Sequence, residues 1–361
     1  MERDLIQKYI DLSKEVANKI IVVVVGNARE ITQIKDDFGS GTSVVSEYYA
    51  LHKFNQIVET LKENGFETLS YYDEMDFIQD YVTQRIRNNY YKPFIVLNFA
   101  QKGIVRGRKS LIPLFCEMNG IVHTNSDPFV CSLVREKYIW YKLLQDACPI
   151  CPTWIFDPKL GWLFDQPCDN EKVIAKLENQ CSSMGVSDEN VFFYSQEKDG
   201  FLKNLSKQYN SRIIVQKFID GYEVEFPFCF DGEQAFCLKP QGILMNESEY
   251  LGNGILNYEV RKNHKYNFYN YDEFDPELAE EISACIVQTA KILDIQGIGR
   301  IDCRITSEKK FYITDINSNP HLIEIASPAE ALRQSGFKSY ADLINLLIGI
   351  TITRHPNQIK L

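Results

Sequence analysis

Three features are missing from this sequence, and each absence excludes a class of protein. The longest apolar run covers residues 20–25, whereas a helix that crosses a bilayer needs about 20 residues. The first residues carry acids and show no apolar signal core. Positive charge is not in surplus, since 39 Lys and Arg face 49 Asp and Glu for a net charge of −10, which argues against a duplex nucleic-acid surface. We therefore expect a cytoplasmic protein without a membrane or nucleic-acid partner.

Motifs for covalent, zinc and dinucleotide chemistry are also scarce. The chain has only five histidines and shows no convincing Ser-His-Asp or Cys-His constellation. Ten cysteines without a secretory signal indicate reduced, packed thiols. The single CxxC, Cys148 to Cys151, has no second pair at zinc-finger distance; a redox role and simple packing both stay open, with packing favoured. Gly26 follows the first predicted strand without a GxGxxG pattern, which argues against a Rossmann oxidoreductase.

The hydrophobic pattern predicts an α/β protein with several domains. A chain of 361 residues exceeds the size at which one core keeps growing, so two or three domains are expected. A β-branched run at 20–25, a helix over 46–64 and a strand at 94–98 give a β-α-β order, typical of a Rossmann-like lobe. We predict domains at 1–125, 126–228 and 229–361.

Helix starts are marked by acids and prolines. Asp127 with Pro128 predicts a helix that runs towards Gln145, and Asp275 with Pro276 opens a long helix. Ser327, Pro328 and Glu330 match a capping box for the last helices. The middle lobe is dominated by predicted strands at 212–219 and 223–230.

The segment 297–319 concentrates polar groups at strand spacing. Two arms of period two are separated by a polar turn at 307–310. Folding there as an antiparallel hairpin sets Asp302 opposite Asp315 and Arg300 opposite Asn317. Two carboxylates and an amide oxygen are hard donors that suit Mg²⁺, and a guanidinium beside the ion would stabilise a transferring phosphate. A surface hairpin with screened ion pairs is the structural alternative.

The motif GIGRIDCR, followed by a strand that ends in DINSNP, resembles the metal-binding core of the ATP-grasp ligases, in the D-alanine–D-alanine ligase branch. The resemblance implies a Rossmann-like N-terminal lobe followed by two ATP-grasp lobes. It also implies ATP and two Mg²⁺ ions, with Mn²⁺ as an alternative, held by Asp302, Asp315 and Asn317, while Arg300 contacts the transferred phosphoryl group. Asp315 stands where the family usually has Glu.

Further matches in the same order imply a nucleotide site. VIAK followed by SSMGV is similar to the phosphate lysine and glycine-rich lid of the family, and IIVQKFIDGYEVE is similar to its adenine hinge, with Gln216 in place of the usual Glu. A lysine in VREKY resembles the one that reaches the phosphates from the domain junction. YEVRK resembles a mobile segment that supplies a cation to the γ-phosphate, either Arg261 or Lys262. The resemblance thus implies nucleotide binding by Lys137, Lys176, Ser182, Ser183, Met184, Gln216, Lys217, Phe218, Ile219, Glu223 and Lys262, and a catalytic role for Ser183 and Lys262.

The segments expected at the substrate pocket depart from the family pattern. His321 replaces a small glycine and Ala326 replaces the serine that holds the acceptor carboxylate, which argues against D-alanine as acceptor. The acidic loop of the family becomes AQKGIVRGRKS, with Arg106, Arg108 and Lys109. We predict that Arg108 meets an extra negative group on one substrate. A solvated charged loop is the structural alternative and is equally compatible with the sequence. Glu47 resembles the acid that holds the donor ammonium.

Together these patterns predict an ATP-dependent ligase that joins a carboxylate, activated as an acyl phosphate, to an amine. The substrates are expected to be small and amino-acid-like, and the resemblance implies a homodimer. A true D-alanine–D-alanine ligase and a non-catalytic ATP-binding regulatory protein remain as alternatives.

Overall fold

Three β-sheets and the helices packed on them organise the chain in the computed structural model, which describes residues 2–34, 38, 42–89 and 91–359. The α-helices are α1 (Glu2–Val16), α2 (Leu51–Glu63), α3 (Glu74–Val82), α4 (Arg85–Asn89), α5 (Leu111–Met118), α6 (Pro128–Leu133), α7 (Lys137–Leu144), α8 (Asp199–Tyr209), α9 (Tyr258–Lys262), α10 (Tyr271–Phe274), α11 (Pro276–Ile292), α12 (Ser327–Gln334) and α13 (Tyr340–Arg354). Short 3-10 helices cover Val44–Glu47, Arg108–Ser110, Asp188–Asn190 and Gln196–Lys198.

The strands divide into one parallel and two antiparallel sheets. They are β1 (Ile21–Val25), β2 (Glu67–Tyr71), β3 (Phe94–Asn98), β4 (Val122–His123), β5 (Thr153–Asp157), β6 (Gly161–Trp162), β7 (Lys172–Leu177), β8 (Val191–Phe193), β9 (Ile213–Lys217), β10 (Tyr222–Phe230), β11 (Ala235–Cys237), β12 (Gln241–Leu244), β13 (Asn267–Asn270), β14 (Gly297–Ile305) and β15 (Phe311–Asn317). The sheet orders are β2-β1-β3-β4, β6-β5-β9-β7-β8 and β13-β12-β10-β14-β15, with β11 paired to β10.

The first sheet is parallel, as the β-α-β order of the sequence predicts. All five residues of β1 are buried because this strand lies between β2 and β3 and its faces are covered by helices. The predicted helix over 46–64 is shorter than expected. Residues Val44–Glu47 form a 3-10 turn, and α2 begins only at Leu51.

Two further sequence expectations are corrected by the structure. The domain boundary predicted after residue 228 falls inside β10, whose nine residues pair with β14, so the third sheet already starts at Tyr222. Ser327 does not cap α12, because Ala326 is the N-cap residue and the Ser327 hydroxyl donates instead to Glu225. Asp127 and Asp275 do cap their helices, although the helix begun by Asp127 ends at Leu133 and α7 follows from Lys137.

Helices from opposite ends of the chain share one core. Helix α13 has ten consecutive buried residues, 343–352, and it packs against α1 and α2. The same core cluster includes Ile6 and Tyr9 of α1, Phe54 of α2 and Leu97 of β3. The first lobe is therefore held against the third by apolar burial. Within the described part of the chain, no helix combines the length and apolar character needed to cross a membrane.

Candidate functional site

The predicted hairpin is present with the predicted register. Strands β14 and β15 are antiparallel, with Asp302 opposite Asp315 and Arg300 opposite Asn317, and a bulge follows Asp302. Strand β10 pairs with the other edge of β14 and sets Glu225 opposite Asp302. Three carboxylates therefore meet on neighbouring strands. Glu225 belongs to none of the motifs that predicted the site, although its period-two spacing from Glu223 puts both residues on one face of β10.

Arg300 neutralises much of this acidic cluster. Its guanidinium binds Asp302 in a bidentate fashion, with Nε to Oδ1 at 2.7 Å and Nη2 to Oδ2 at 2.8 Å, and its Nη1 lies 3.0 Å from Oε2 of Glu225. Burial raises the pKa of Asp302, the guanidinium of Arg300 opposes that rise, and the carboxylates of Glu225 and Asp315 add to it. Asp302 therefore sits where a further positive charge would stabilise its ionised form.

Two lysines converge on Asp315 from the other side. Burial by itself would raise the pKa of Asp315, but Lys137 and Lys176 overcome this effect and lower it. The ammonium of Lys137 lies 3.6 Å from Asp315 Oδ1 and donates to the carbonyl of Gln180 at 2.7 Å. Lys176 donates to Oε1 of Gln216 at 2.9 Å. The amide oxygen of Gln216 thus accepts a hydrogen bond from this lysine, at the position where the resemblance implies a glutamate carboxylate.

The oxygen donors of the hairpin fit Mg²⁺ by their chemistry. Among the described residues, no group of three His, Cys, Asp or Glu side chains is arranged to hold a metal ion. Mg²⁺ does not need such a group, because one or two carboxylates plus substrate phosphates usually hold it. Asp302, Asp315 and Asn317 supply hard oxygens of this kind, so the site suits a metal that arrives with a phosphate ligand.

A cavity opens between the second and third sheets, and its empty space, which includes open solvent, amounts to about 810 Å³. We call it cavity one. It is lined by β7, β9 and the hairpin, and it contains ten of the predicted nucleotide-binding residues. These are Lys137, Lys176, Ser182, Ser183, Met184, Gln216, Lys217, Phe218, Ile219 and Glu223.

The loop after β7 covers one side of cavity one in an unusual backbone conformation. Ser182 and Ser183 have φ angles of 56° and 54°, and Gly185 has a φ of 70°. Successive residues in the left-handed region cost energy for side chains other than glycine, and such strain is concentrated at ligand sites. The hydroxyl of Ser183 donates to the carbonyl of Leu256, which ties this loop to the segment before α9.

A second cavity of about 840 Å³, cavity two, lies between the first and third lobes. The first lobe contributes Glu47, Gln101 and Lys109, and the hairpin contributes Arg300 and Asn317. His321 also lines it, with Nε2 donating to the Glu47 carbonyl at 3.0 Å, and burial lowers the pKa of this imidazole to about 4. Both cavities share a wall that consists of Cys181, Ser182, Ser183, Arg261 and Asp315. Ligands in the two cavities would therefore meet beside the acidic hairpin.

Arg108 lies outside the lining of both cavities. Its Nη2 binds Glu47 Oε2 at 2.7 Å and Gln180 Oε1 at 3.2 Å, and only 3% of the residue is exposed. The arginine is thus paired with an internal carboxylate, and the structure does not place it in the lining of either cavity. The same ion pair occupies Glu47, whose Oε1 accepts from the Cys181 amide at 3.3 Å.

Of the two candidates for the cation in the mobile segment, Arg261 lines both cavities and Lys262 lines neither. Lys262 is exposed and its ammonium lies 5.7 Å from the ring centre of Tyr258. Arg261 lies 3.6 Å from Glu225 and 3.9 Å from Glu223. The structure thus places Arg261, and not the predicted Lys262, beside the two cavities; helical periodicity on so short a segment could not separate the two.

The CxxC pair is packed as two separate structural thiols. Cys151 is fully buried and its Sγ lies 2.9 Å from the carbonyl of Lys217, whereas Cys148 contacts the Thr289 hydroxyl at 3.2 Å. Neither residue lines cavity one or cavity two.

Comparisons with known proteins agree with this geometry. The family model described as D-ala D-ala ligase C-terminus matches residues 172–349. The D-alanine–D-alanine ligase of Petrotoga mobilis is 25% identical over 260 residues, which cover 69% of this chain and 78% of that protein. The Bacillus anthracis D-alanine–D-alanine ligase complexed with ATP superimposes with a TM-score of 0.66 at 16% identity, covering 92% of this chain and 97% of that structure. The D-Ala:D-Ser ligase VanG of Enterococcus faecalis gives a TM-score of 0.64 at 16% identity, covering 92% and 99%.

Proposed function

Because the chain is a D-alanine–D-alanine ligase-like ATP-grasp protein, we propose that it is an ATP-dependent carbon–nitrogen ligase that joins the carboxylate of one small amino-acid-like substrate to the amine of another. The observation that carries this proposal is the shared wall of the two cavities at Asp315, Ser182, Ser183 and Arg261. A triphosphate in cavity one and a carboxylate in cavity two would meet at this wall.

The nucleotide half of the reaction is assigned to cavity one. Lys137 and Lys176 would hold the phosphates, and main-chain groups of Lys217, Phe218 and Ile219 would read the adenine edge. Glu223 would accept from the ribose hydroxyls. The loop that carries Ser182 and Ser183 would cover the phosphates and exclude water, because backbone and hydroxyl groups in such a loop bind anions.

Asp302, Asp315 and Asn317 would hold the metal, in the form of two Mg²⁺ ions or Mn²⁺. The metal would supply positive charge against the negative charge that builds up on the transferring phosphoryl group. For the acids to bind it, the bidentate contact between Arg300 and Asp302 has to open, and this opening would free the guanidinium for the phosphoryl oxygens. In the ligand-free protein, Arg300 thus supplies beside Asp302 the positive charge that the metal would supply in the complex.

The chemistry then proceeds in two steps at the shared wall. The substrate carboxylate attacks the γ-phosphorus of ATP, which breaks the bond to the bridging oxygen and gives an acyl phosphate and ADP. The amine of the second substrate attacks the acyl carbon, loses a proton and expels phosphate. The side chains of this chain serve to position the reactants and to stabilise charge. By the resemblance, the proposal extends to a homodimer.

The test is phosphate release from ATP and Mg²⁺ with a panel of amino acids that includes acidic and D-forms, together with mass spectrometry of the product. Asp302→Asn and Asp315→Asn are each expected to lower the rate by about 10²-fold or more, since both remove charge that holds the metal. Glu308→Gln is the control, because this exposed acid lies in the turn of the same hairpin and should retain the wild-type rate.

One result would contradict the ligase, and another would contradict the roles of its two aspartates. ATP binding without phosphate release for any amino acid would favour the non-catalytic ATP-binding protein. An equal loss of rate in Glu308→Gln and in the two aspartate variants would show that the hairpin, and not its acids, is needed. Strong activity with D-alanine alone would identify a true D-alanine–D-alanine ligase, which His321 and Ala326 argue against.

A further inference from the structure

Lys109 is a buried cation in cavity two without an anionic partner. It lies in the 3-10 helix Arg108–Ser110, only 7% of it is exposed, and it lines the cavity. Its neighbours in that turn are both engaged, Arg108 by Glu47 and Ser110 by the carbonyl of Pro128. Within the described residues, Lys109 has neither a hydrogen bond nor a carboxylate within 4 Å. Its side chain is therefore the unpaired group of this turn.

The acids that line cavity two are already neutralised by other groups. Both oxygens of Glu47 are used, one by Arg108 and one by the Cys181 amide. Glu225 is held by Arg300 and by the Ser327 hydroxyl. Asp315 faces Lys137. A rearrangement of these carboxylates would therefore leave some other cation unpaired. Burial alone would raise the pKa of the Cys181 thiol in the same lining, but Lys109 and Arg135 lower it. A carboxylate from outside would compensate Lys109 without the ionisation of this thiol.

The surroundings of Lys109 do not favour its charged form. Burial lowers the pKa of Lys109, and the guanidinium groups of Arg135 and Arg108 lower it further. The Cys181 thiol and the Glu47 carboxylate act in the opposite direction without restoring the ordinary pKa. Burying an unpaired ammonium is costly unless a ligand supplies the opposite charge. A carboxylate bound in cavity two would remove this cost.

Different elements contribute the cations that line cavity two. Lys109 comes from the first lobe, Arg300 from the hairpin where the proposed phosphoryl transfer takes place, and Arg261 from α9. The lining also includes the polar Gln101 and the apolar Phe268 and Ile323. A ligand with more than one anionic group and an apolar body matches this lining.

We propose that Lys109 binds a substrate carboxylate other than the one that is phosphorylated, so that the ligase selects substrates with this additional carboxylate. The inference rests on the proposed function for the identity of the reacting carboxylate. The second carboxylate belongs either to the side chain of an acidic amino acid or to the α-carboxylate of the acceptor. Both sources have the same chemistry, and Lys109 is the residue that determines specificity for it.

The test is calorimetric binding of matched compounds to the full-length protein without ATP. The probes are aspartate and glutamate, their side-chain amides asparagine and glutamine, and the α-amides of all four. Wild-type protein is expected to lose affinity by about 30-fold or more when the recognised carboxylate becomes an amide, because one partner of a buried charge pair is removed. The amide that causes the loss identifies the side chain or the α-carboxylate as the recognised group.

Lys109→Met should bind the acid and its amide equally, and Lys109→Arg should keep the preference for the acid. Lys102→Met is the matched control, because Lys102 lies in the same loop, pairs with Asp73 and does not line cavity two. Removing an unpaired buried charge should leave Lys109→Met as stable as wild type, which circular dichroism checks. Equal binding of acids and amides by wild type, or an unchanged preference in Lys109→Met, would overturn the proposal.

The two proposals can fail separately. If acids bind in a Lys109-dependent way but the protein releases no phosphate from ATP with any amino acid, the proposed carboxylate site is supported and the proposed ligase activity is rejected. If neutral amino acids are ligated and Lys109→Met leaves every KM unchanged, the ligase stands and the carboxylate site is overturned. In the proposed enzyme, Lys109→Met should raise the KM of the acidic substrate by about 30-fold or more and leave the KM of ATP unchanged.

Discussion

The contact between Glu47 and Arg108 shows how one residue pair can change the interpretation of a whole loop. Both residues are almost fully buried, and Nη2 lies 2.7 Å from Oε2. Sequence motifs suggested that each would meet a substrate. In the fold they neutralise one another and leave the adjacent Lys109 as the cation of this loop that lines cavity two. The expected substrate contact therefore moves by one residue along the chain, from the guanidinium of Arg108 to the ammonium of Lys109.

This pair predicts a pH dependence of stability. Burial alone would raise the pKa of Glu47, but Arg108 and neighbouring cations overcome this and lower it from 4.5 to about 2. The folded protein thus binds fewer protons than the unfolded chain between these values. The contribution of Glu47 to stability is complete above about pH 4.5 and is lost as the pH falls towards 2.

Glu47→Gln should therefore lower the free energy of unfolding by about 3–5 kcal/mol at pH 7, since it leaves Arg108 buried and unpaired. Urea unfolding at a series of pH values checks this prediction. The difference between wild type and variant should shrink below about pH 4.5. A difference that stays constant across this pH series would show that the pKa of Glu47 is not lowered in the folded protein.

At the scale of elements, regular period-two strands were easier to predict than helices. The β14–β15 hairpin has the predicted register because its alternating apolar residues, such as Ile301 and Cys303, are buried in the second core cluster. The helix expected over 46–64 instead starts at Leu51. Residues 44–47 form a 3-10 turn instead. In this turn Val44 packs against the second lobe and Glu47 pairs with Arg108. Long-range contacts thus outweigh local helix propensity there.

The helices α13 and α1 approach one another closely at a glycine. A Cβ atom placed on Gly349 of α13 would lie 2.0 Å from the carbonyl oxygen of Tyr9 in α1. Gly349→Ala is therefore expected to push the two helices apart and to lower the free energy of unfolding by about 1–3 kcal/mol. Thermal and urea unfolding measure the change.

Gly200→Ala is the control for this prediction. Gly200 lies in the first turn of α8, and its neighbours leave open space within 4 Å of the position that a methyl group would take. The same chemical change should there stabilise the protein by up to about 1 kcal/mol through helix propensity. Equal effects of both substitutions would argue against close packing of α1 on α13.

At the scale of the whole molecule, the first and third lobes depend on one core. Tyr9 donates to Asp231 at 2.6 Å and Ser13 donates to Asn345 at 2.9 Å, so polar contacts reinforce the apolar burial between α1 and the C-terminal part of the chain. Cavity two lies between the same two lobes. The packing of the chain ends therefore helps to hold together the two lobes that line cavity two.

Removal of residues 1–16 is expected to abolish cooperative thermal unfolding, because it exposes the buried face of α13 to water. Differential scanning calorimetry measures the transition, and Lys8→Ala, on the exposed face of α1, should melt like wild type. A truncated chain that melts cooperatively at the wild-type temperature would show that α1 is dispensable for the shared core.

The sequence by itself determined what depends on local order along the chain. Alternating residues specified the hairpin and its pairing of Asp302 with Asp315, and separated motifs such as VIAK and SSMGV indicated the family and the residues that line cavity one. The tertiary structure decided which charges remain available. Glu225 joins the site because β10 pairs with β14. Arg261, and not Lys262, lines the cavities. Arg108 forms an ion pair with Glu47. The physical reason is that strand pairing follows from short-range periodicity, whereas the partner of a buried charge is chosen by residues far away in sequence, which only the folded chain brings within hydrogen-bond distance.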